Sequence, residues 1–137
     1  MRAEDAVYGG EMSAHHYFRG HWYCDSGMIP YLLVAQLVCQ SGRSLGNLVD
    51  EMIRNFPCSG EVNSKVADVP ATLARVEAAY PGGTIDRLDG LSVEFENWRF
   101  NLRGSNTEPV IRLNVETRGD EPLMRSKTEE LLAIIRA

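Results

Sequence analysis

Two stretches of this chain carry side chains whose types and spacing can do chemistry. The first is Arg103-Gly104-Ser105-Asn106-Thr107-Glu108-Pro109, set between two runs that alternate like strands. Arginine offers a planar, permanently charged fork that matches phosphate oxygens two at a time. Ser105, Asn106 and Thr107 add hydroxyls, an amide and backbone N–H groups, and successive N–H groups in a turn form an anion-binding nest. Gly104 lets backbone approach a ligand closely. The stretch reads as a phosphate cradle, against the plainer reading of a β-connection whose small polar residues only satisfy turn geometry. Charge leans toward the cradle. Residues 98–118 hold Arg99, Arg103, Arg112 and Arg118 against Glu108 and Glu116, on a chain whose formal net charge is −5. A positive island on an acidic protein suits a small anion better than a nucleic acid, which needs a wide basic face.

The second stretch is Gly10-Glu11-Met12-Ser13-Ala14-His15-His16, directly after the short apolar run Ala6-Val7-Tyr8 and Gly9. A carboxylate, a hydroxyl and an imidazole, gathered within five residues just after a strand end, stand where polar ligands bind in α/β folds. Glu11 can accept hydrogen bonds from two neighbouring sugar hydroxyls, and His15 can move a proton near neutral pH. His15, His16, His21 and Cys24 also invite a metal reading, but their spacing fits no standard zinc pattern and no second ligand pair follows. We expect no metal site, with His16 and His21 on the surface or in packing.

Several elements must position these groups. Tyr17, Phe18, Trp22 and Tyr23 form an aromatic patch that we expect in a core. Asp25-Ser26-Gly27 precedes an apolar helix over 28–40, whose Tyr31, Leu32, Val34, Ala35, Leu37 and Val38 spread around much of its circumference. It should be buried on more than one side. A more amphipathic helix follows near 44–55, and Phe56-Pro57-Cys58-Ser59-Gly60 reads as a domain boundary. We therefore expect one domain over 1–57 and another over 58–137.

The second domain reads as a compact unit. A strand near 61–65 leads to a helix capped by Asp68, with Pro70 in its first turn and Leu73, Val76 and Tyr80 as its buried stripe. Runs over 84–88 and 91–95 flank Asp89-Gly90, a strong hairpin signal. Trp98, Phe100 and Leu102, then Ile111, Leu113 and Val115, give each later strand one apolar face. Asp120 and Pro122 start a last helix with Met124, Thr128, Leu131, Leu132 and Ile135 on one side. The fold class is α+β, a β-α-β-β-β-α sandwich of antiparallel sheet and two helices, preceded by a truncated piece of an α/β domain.

Composition bounds the rest. At 137 residues, with 44% hydrophobic and 24% charged residues, the chain is that of a globular protein. No apolar run approaches the roughly 18 residues that span a bilayer, and residues 1–6 hold no signal-peptide core. Three widely spaced cysteines, Cys24, Cys39 and Cys58, suit reduced thiols in the cytosol. A cytoplasmic protein without nucleic-acid or membrane partners is expected.

Gly10-Glu11-Met12-Ser13-Ala14-His15 resembles the sugar-binding loop of the α-D-phosphohexomutases, and Arg103-Gly104-Ser105-Asn106-Thr107-Glu108-Pro109 resembles the phosphate-binding loop of their last domain. Both motifs occur in the right order, about 90 residues apart, and the likeness covers essentially the whole chain. It is strongest toward the bacterial phosphomannomutase branch, which feeds GDP-mannose and surface polysaccharide synthesis, since Met12 and Asn106 fit that branch. The resemblance implies an isomerase that interconverts mannose 6-phosphate and mannose 1-phosphate, with glucose phosphates as an open further pair, through a phosphoserine and a bisphosphorylated sugar, with Mg²⁺ assisting. It implies that Glu11 and Ser13 hold sugar hydroxyls, that His15 is the candidate proton carrier, and that Arg103, Gly104, Ser105, Asn106 and Thr107 clamp the non-reacting phosphate.

The family's phosphoserine motif and its Asp-x-Asp-x-Asp metal loop do not occur here, so the chain corresponds to the end of the third domain and the whole fourth. We expect it to hold no ligands for Mg²⁺, to be inactive alone, and to need the parent's N-terminal domains as partners. The competing readings are a stand-alone phosphosugar- or anion-binding module and a protein-interaction module without catalysis. Too little sheet accompanies the apolar helix over 28–40 in this chain, which should leave an apolar surface exposed, so we also expect the chain to self-associate or residues 1–40 to be partly mobile.

Overall fold

Hydrophobic alternation and caps explain most of the elements in the computed structural model, which describes residues 1–11, 13–105 and 109–137. The chain divides into two units, Met1–Leu48 and Val49–Ala137.

In the first unit, β1 (Tyr8–Gly10), β2 (His16–Phe18) and β3 (Cys24–Asp25) form a small antiparallel sheet in that order. A single 3-10 turn, Arg19–His21, joins β2 to β3. Then comes α1 (Met28–Ser41), whose start is held by Ser26 Oγ accepting from the Ile29 N–H at 3.3 Å. Gly42 ends it in the left-handed conformation (φ +65°), donating its N–H to the Val38 carbonyl.

Two expectations fail here. No residue of α1 is buried: Met28 and Tyr31 are each 65% exposed, and Leu32, Leu33 and Leu37 also lie open. Strands of three, three and two residues present too small a face to cover a 14-residue helix. The aromatic patch is not a core either. Tyr17, Phe18 and Tyr23 are half-buried, and Trp22 is 76% exposed. Trp22 and Tyr23 are successive left-handed residues (φ +53° and +61°). Polar contacts hold them there: the Tyr23 hydroxyl donates to Asp5 Oδ1 at 2.9 Å, and Arg2 donates to the Trp22 carbonyl while its guanidinium lies over the Tyr23 ring.

Helix α2 (Leu45–Asn55) contains the division between the units. The second unit continues with β4 (Val62–Lys65), α3 (Val69–Ala79), β5 (Thr84–Asp86), β6 (Leu91–Glu94), β7 (Trp98–Gly104), β8 (Val110–Thr117) and α4 (Glu121–Arg136). Its strand order is β4-β8-β7-β6-β5, antiparallel throughout. The α+β class stands, but the sandwich has five strands, β-α-β-β-β-β-α. The hairpin over 84–94 and the pair over 98–117 each supply two strands beyond β4, one more than the expected sandwich allowed.

Caps set the helix starts. Asp68 Oδ1 accepts from Ala71 N–H at 2.9 Å and Asp120 Oδ1 from Leu123 N–H at 2.8 Å, with Pro70 and Pro122 in the first turns. Strand β5 stops at Asp86, short of the expected Leu88, because Asp86 Oδ1 accepts the Leu88 N–H at 2.8 Å and starts the turn. Gly90 completes that turn at φ +77°, where a Cβ would stand 2.5 Å from the Leu102 carbonyl oxygen.

Helices α3 and α4 cover one face of the sheet. Phe100, Leu102, Ile111, Leu113 and Val115 meet Val76 of α3, Tyr80 just after it, and Met124, Leu131 and Ile135 of α4 in one buried cluster. The opposite face of β7 and β8 is polar, and its cross-strand pairs are Arg99↔Glu116, Asn101↔Asn114 and Arg103↔Arg112. Among the described residues no helix is long and apolar enough to cross a membrane.

Candidate functional site

In the first unit, a tight loop between β1 and β2 gathers the expected sugar-facing residues. The Glu11 N–H donates to the His15 carbonyl at 2.9 Å and the Ala14 N–H to the Glu11 carbonyl at 3.0 Å, with Ala14 left-handed at φ +64°. This neck brings Glu11 and His15 together. The Tyr17 hydroxyl donates to Glu11 Oε1 at 2.6 Å and the Ser13 hydroxyl to Oε2 at 3.1 Å. Those two bonds, Tyr17 first, hold the Glu11 carboxyl below its ordinary pKa. A carboxylate has about four acceptor sites, so Glu11 keeps room for two further hydroxyls.

His15 lies 2.7 Å from Asp25 through Nδ1 and Oδ2. The hydrogen bond and charge of Asp25 raise the imidazole's pKa, and His15 with the His16 N–H lowers that of Asp25. His16 instead meets the Tyr8 hydroxyl through Nδ1 at 2.7 Å. Among the described residues no three His, Cys, Asp or Glu side chains are placed to hold a metal ion. Tyr17 and Asp25 belong to this constellation and were absent from the sequence-based candidates. The β2–β3 register, which pairs Tyr17 with Asp25, is the signal that finds them.

In the second unit, Arg103, Gly104 and Ser105 lie where β7 ends. The Ser105 N–H donates to the Val110 carbonyl at 2.8 Å, closing the strand pair at the mouth of the loop. Asn106 and Thr107 lie outside the described residues. The close approach at Gly104 is to α3, since a Cβ there would stand 2.6 Å from Val69 Cγ1. A cavity of about 520 Å³ opens here, walled by Arg103, Gly104, Ser105, Arg112, Asp89 and Gly90 and backed by α3.

The positive island divides in two. Arg99 grips Glu116 with two bonds, at 3.0 and 3.2 Å, and Arg118 lies 3.7 Å from Glu94. Arg103 and Arg112 stand directly opposite each other across β7 and β8, a like-charge pairing that destabilises a sheet. Each makes one long carboxylate contact: Arg103 Nη1 donates to Asp89 Oδ2 at 3.4 Å, and Arg112 lies 3.6 Å from Glu61. The Nε–H of Arg112 is buried with no hydrogen-bond partner among the described residues. A buried guanidinium donor left unpaired is costly, and an anion in the cavity that Arg103 and Arg112 line would screen the two charges. Arg112 was not a sequence-based site candidate. Pairing the residues that flank the loop across the two strands would have found it.

Residues 1–56 match the family described as phosphoglucomutase/phosphomannomutase, alpha/beta/alpha domain III, and residues 61–133 match phosphoglucomutase/phosphomannomutase, C-terminal domain. A phosphomannomutase of Salmonella montevideo is 63% identical over 137 residues, covering 98% of this chain and 30% of that protein. One from Escherichia coli strain K12 is 58% identical with the same coverage, and a protein of Xanthomonas campestris pv. campestris named phosphohexose mutases is 59% identical over 138 residues. The chain thus spans about 30% of the length of these relatives. A crystal structure of a phosphoglucomutase/phosphomannomutase family protein from Burkholderia thailandensis matches the fold, with a TM-score of 0.66 at 23% identity over 98% of this chain and 30% of that one.

Proposed function

Because this chain belongs to the phosphoglucomutase/phosphomannomutase family, we propose that its units hold the sugar and the non-reacting phosphate for a mutase that interconverts mannose 6-phosphate and mannose 1-phosphate. The observation that carries this reading is the opposed pair Arg103 and Arg112 at the wall of a cavity, the Nε–H of Arg112 being buried without a partner among the described residues. Two guanidiniums directly opposite each other on a sheet are a poor structural device and a good receptor for a dianion.

The chemistry follows from what each group can do. Arg103 and Arg112, with Ser105 and the loop residues Asn106 and Thr107, bind the phosphate that does not react. Binding energy at that end orients the other end of the sugar. Glu11, held by Tyr17 and Ser13, accepts from neighbouring sugar hydroxyls. His15 takes the proton of the attacking hydroxyl as its oxygen bonds to phosphorus and the donor serine oxygen leaves. After the bisphosphorylated sugar reorients, His15 returns a proton in the reverse step. The donor phosphoserine lies outside these residues, and this chain alone binds without turnover. Among the described residues no three His, Cys, Asp or Glu side chains are grouped to hold Mg²⁺, and the roles proposed for this chain's side chains use none.

An NMR titration of the 137-residue chain with mannose 1-phosphate, with mannose as control, tests the reading. Shifts at Arg103, Ser105 and Arg112 with the phosphorylated sugar alone are expected. Equal shifts with mannose, or none at millimolar phosphosugar, would overturn it.

A further inference from the structure

The carboxylate of Asp25 is fixed before it meets His15. Asp25 pairs with Tyr17 in the β2–β3 register, its Oδ1 accepts the backbone N–H of His16 at 3.0 Å, and the next N–H, of Ser26, donates to the His16 carbonyl at 2.9 Å. One oxygen is thus bound to the β2 backbone. The other, Oδ2, stands 2.7 Å from His15 Nδ1. An ionised carboxylate only accepts hydrogen bonds, so the proton of this contact sits on Nδ1, and the lone pair of a neutral imidazole is left on Nε2.

We propose that Asp25 is the positioning residue for His15, holding its imidazole as the Nδ1–H tautomer so that Nε2 alone exchanges a proton with the sugar hydroxyl. The identity of that hydroxyl rests on the mutase reading above; the tautomer does not. In the forward step the hydroxyl proton moves to Nε2 while the hydroxyl oxygen forms its bond to phosphorus. The P–O bond to the donor serine breaks, and its electron pair stays on the serine oxygen. The imidazolium now carries protons on both nitrogens, and Asp25 stays ionised. In the return transfer Nε2 gives its proton to the sugar oxygen that leaves phosphorus.

The charged groups that face His15 agree with this assignment. Asp25 on β3 raises its pKa by hydrogen bond and charge, and Glu11 on the preceding loop adds a smaller attraction. Glu11 is itself tied to Tyr17 on β2 and to Ser13. Both carboxylates favour the imidazolium that forms during transfer, and only Asp25 touches the ring.

Nitrogen NMR of the His15 imidazole in the whole chain, wild type and Asp25→Asn, tests the assignment. In the wild type, neutral His15 should carry its proton on Nδ1. In D25N the Nδ1–H preference should be lost and the titration midpoint should fall, with the phosphosugar shifts at Arg103 and Ser105 kept. A wild-type neutral imidazole protonated on Nε2 overturns the proposal, whether or not D25N folds. So does a folded D25N whose tautomer and midpoint match the wild type. Loss of the mannose 1-phosphate response with the tautomer intact would instead count against the mutase reading alone.

Discussion

Met1–Leu48 and Val49–Ala137 hold their candidate residues by different means. In the second unit, Arg103 and Arg112 sit on strands whose opposite faces are fully buried: Phe100 is 1% exposed, and Leu102 and Ile111 are at 0%. In the first unit no described residue is buried. There, Glu11 and His15 are placed by hydrogen bonds to Tyr17, Ser13 and Asp25 and by the sharp turn at Ala14. One site is built on packing and the other on polar contacts. Packing is stiff and insensitive to pH, whereas exposed charge-assisted contacts contribute modestly and are screened by salt.

The largest expected effect tests the packed side of this contrast. Replacing Phe100 with Ala should lower the unfolding free energy of the second unit by about 3–5 kcal/mol, from lost burial and the cavity left behind. Leu32→Ala on the open α1 helix should stay within about 0.5 kcal/mol, as surface substitutions do. Chemical denaturation of both variants measures the pair. Comparable losses would break the contrast, since they would mean that α1 is covered in solution.

A change in the phosphate cradle sharpens it. Arg112→Lys keeps the positive charge but removes the buried Nε–H and the planar fork. Hydrogen bonds to charged groups are worth about 1.5–3 kcal/mol, so mannose 1-phosphate should bind about 10- to 100-fold more weakly. The affinity for the sugar phosphate, read by NMR titration, measures this. An unchanged affinity would make Arg112 a structural arginine and leave Arg103 as the clamp.

The two units were not equally legible in the sequence, for the same reason that they differ in build. Alternation over Trp98–Leu102 and Ile111–Val115, the Asp68 and Asp120 caps and the apolar stripe of α4 are local signals, and packing in the second unit agrees with each. Arg112 escaped because its role is set by register: eight residues separate it from Arg103 in sequence, yet they are direct cross-strand partners. The sheet of the first unit was hidden because its strands are two or three residues long, too short for a period-2 pattern to show. With the sheet went Tyr17, read as core, and Asp25, read only as the entry to a helix. The α1 helix was read as apolar on most sides, and it is. Burial does not follow from composition when too few strands accompany the helix.

The smallest expected effect belongs to the polar unit, and its sign can be worked out. The pKa of His15 is raised from 6.5, so its charged contribution to the loop is complete below about pH 6.5 and is lost as pH rises through the higher folded value. Asp25 is lowered from 3.8, so its contribution is complete above about pH 3.8 and is lost as pH falls through the lower folded value. The charged pair is therefore fully present between about pH 3.8 and 6.5 and weakens on either side. The His16 N–H, bound to Asp25 Oδ1, reports on it. Its hydrogen-exchange protection, corrected for the intrinsic pH dependence of exchange, should be level across that window and decline on both sides. Added salt should flatten the decline, because the pair is open to solvent. The β7–β8 amides of the second unit, between strands packed on the apolar core, should show no such profile. If they followed the same curve as His16, the polar pair would not be the cause, and the distinction between a packed site and a charge-held one would fall.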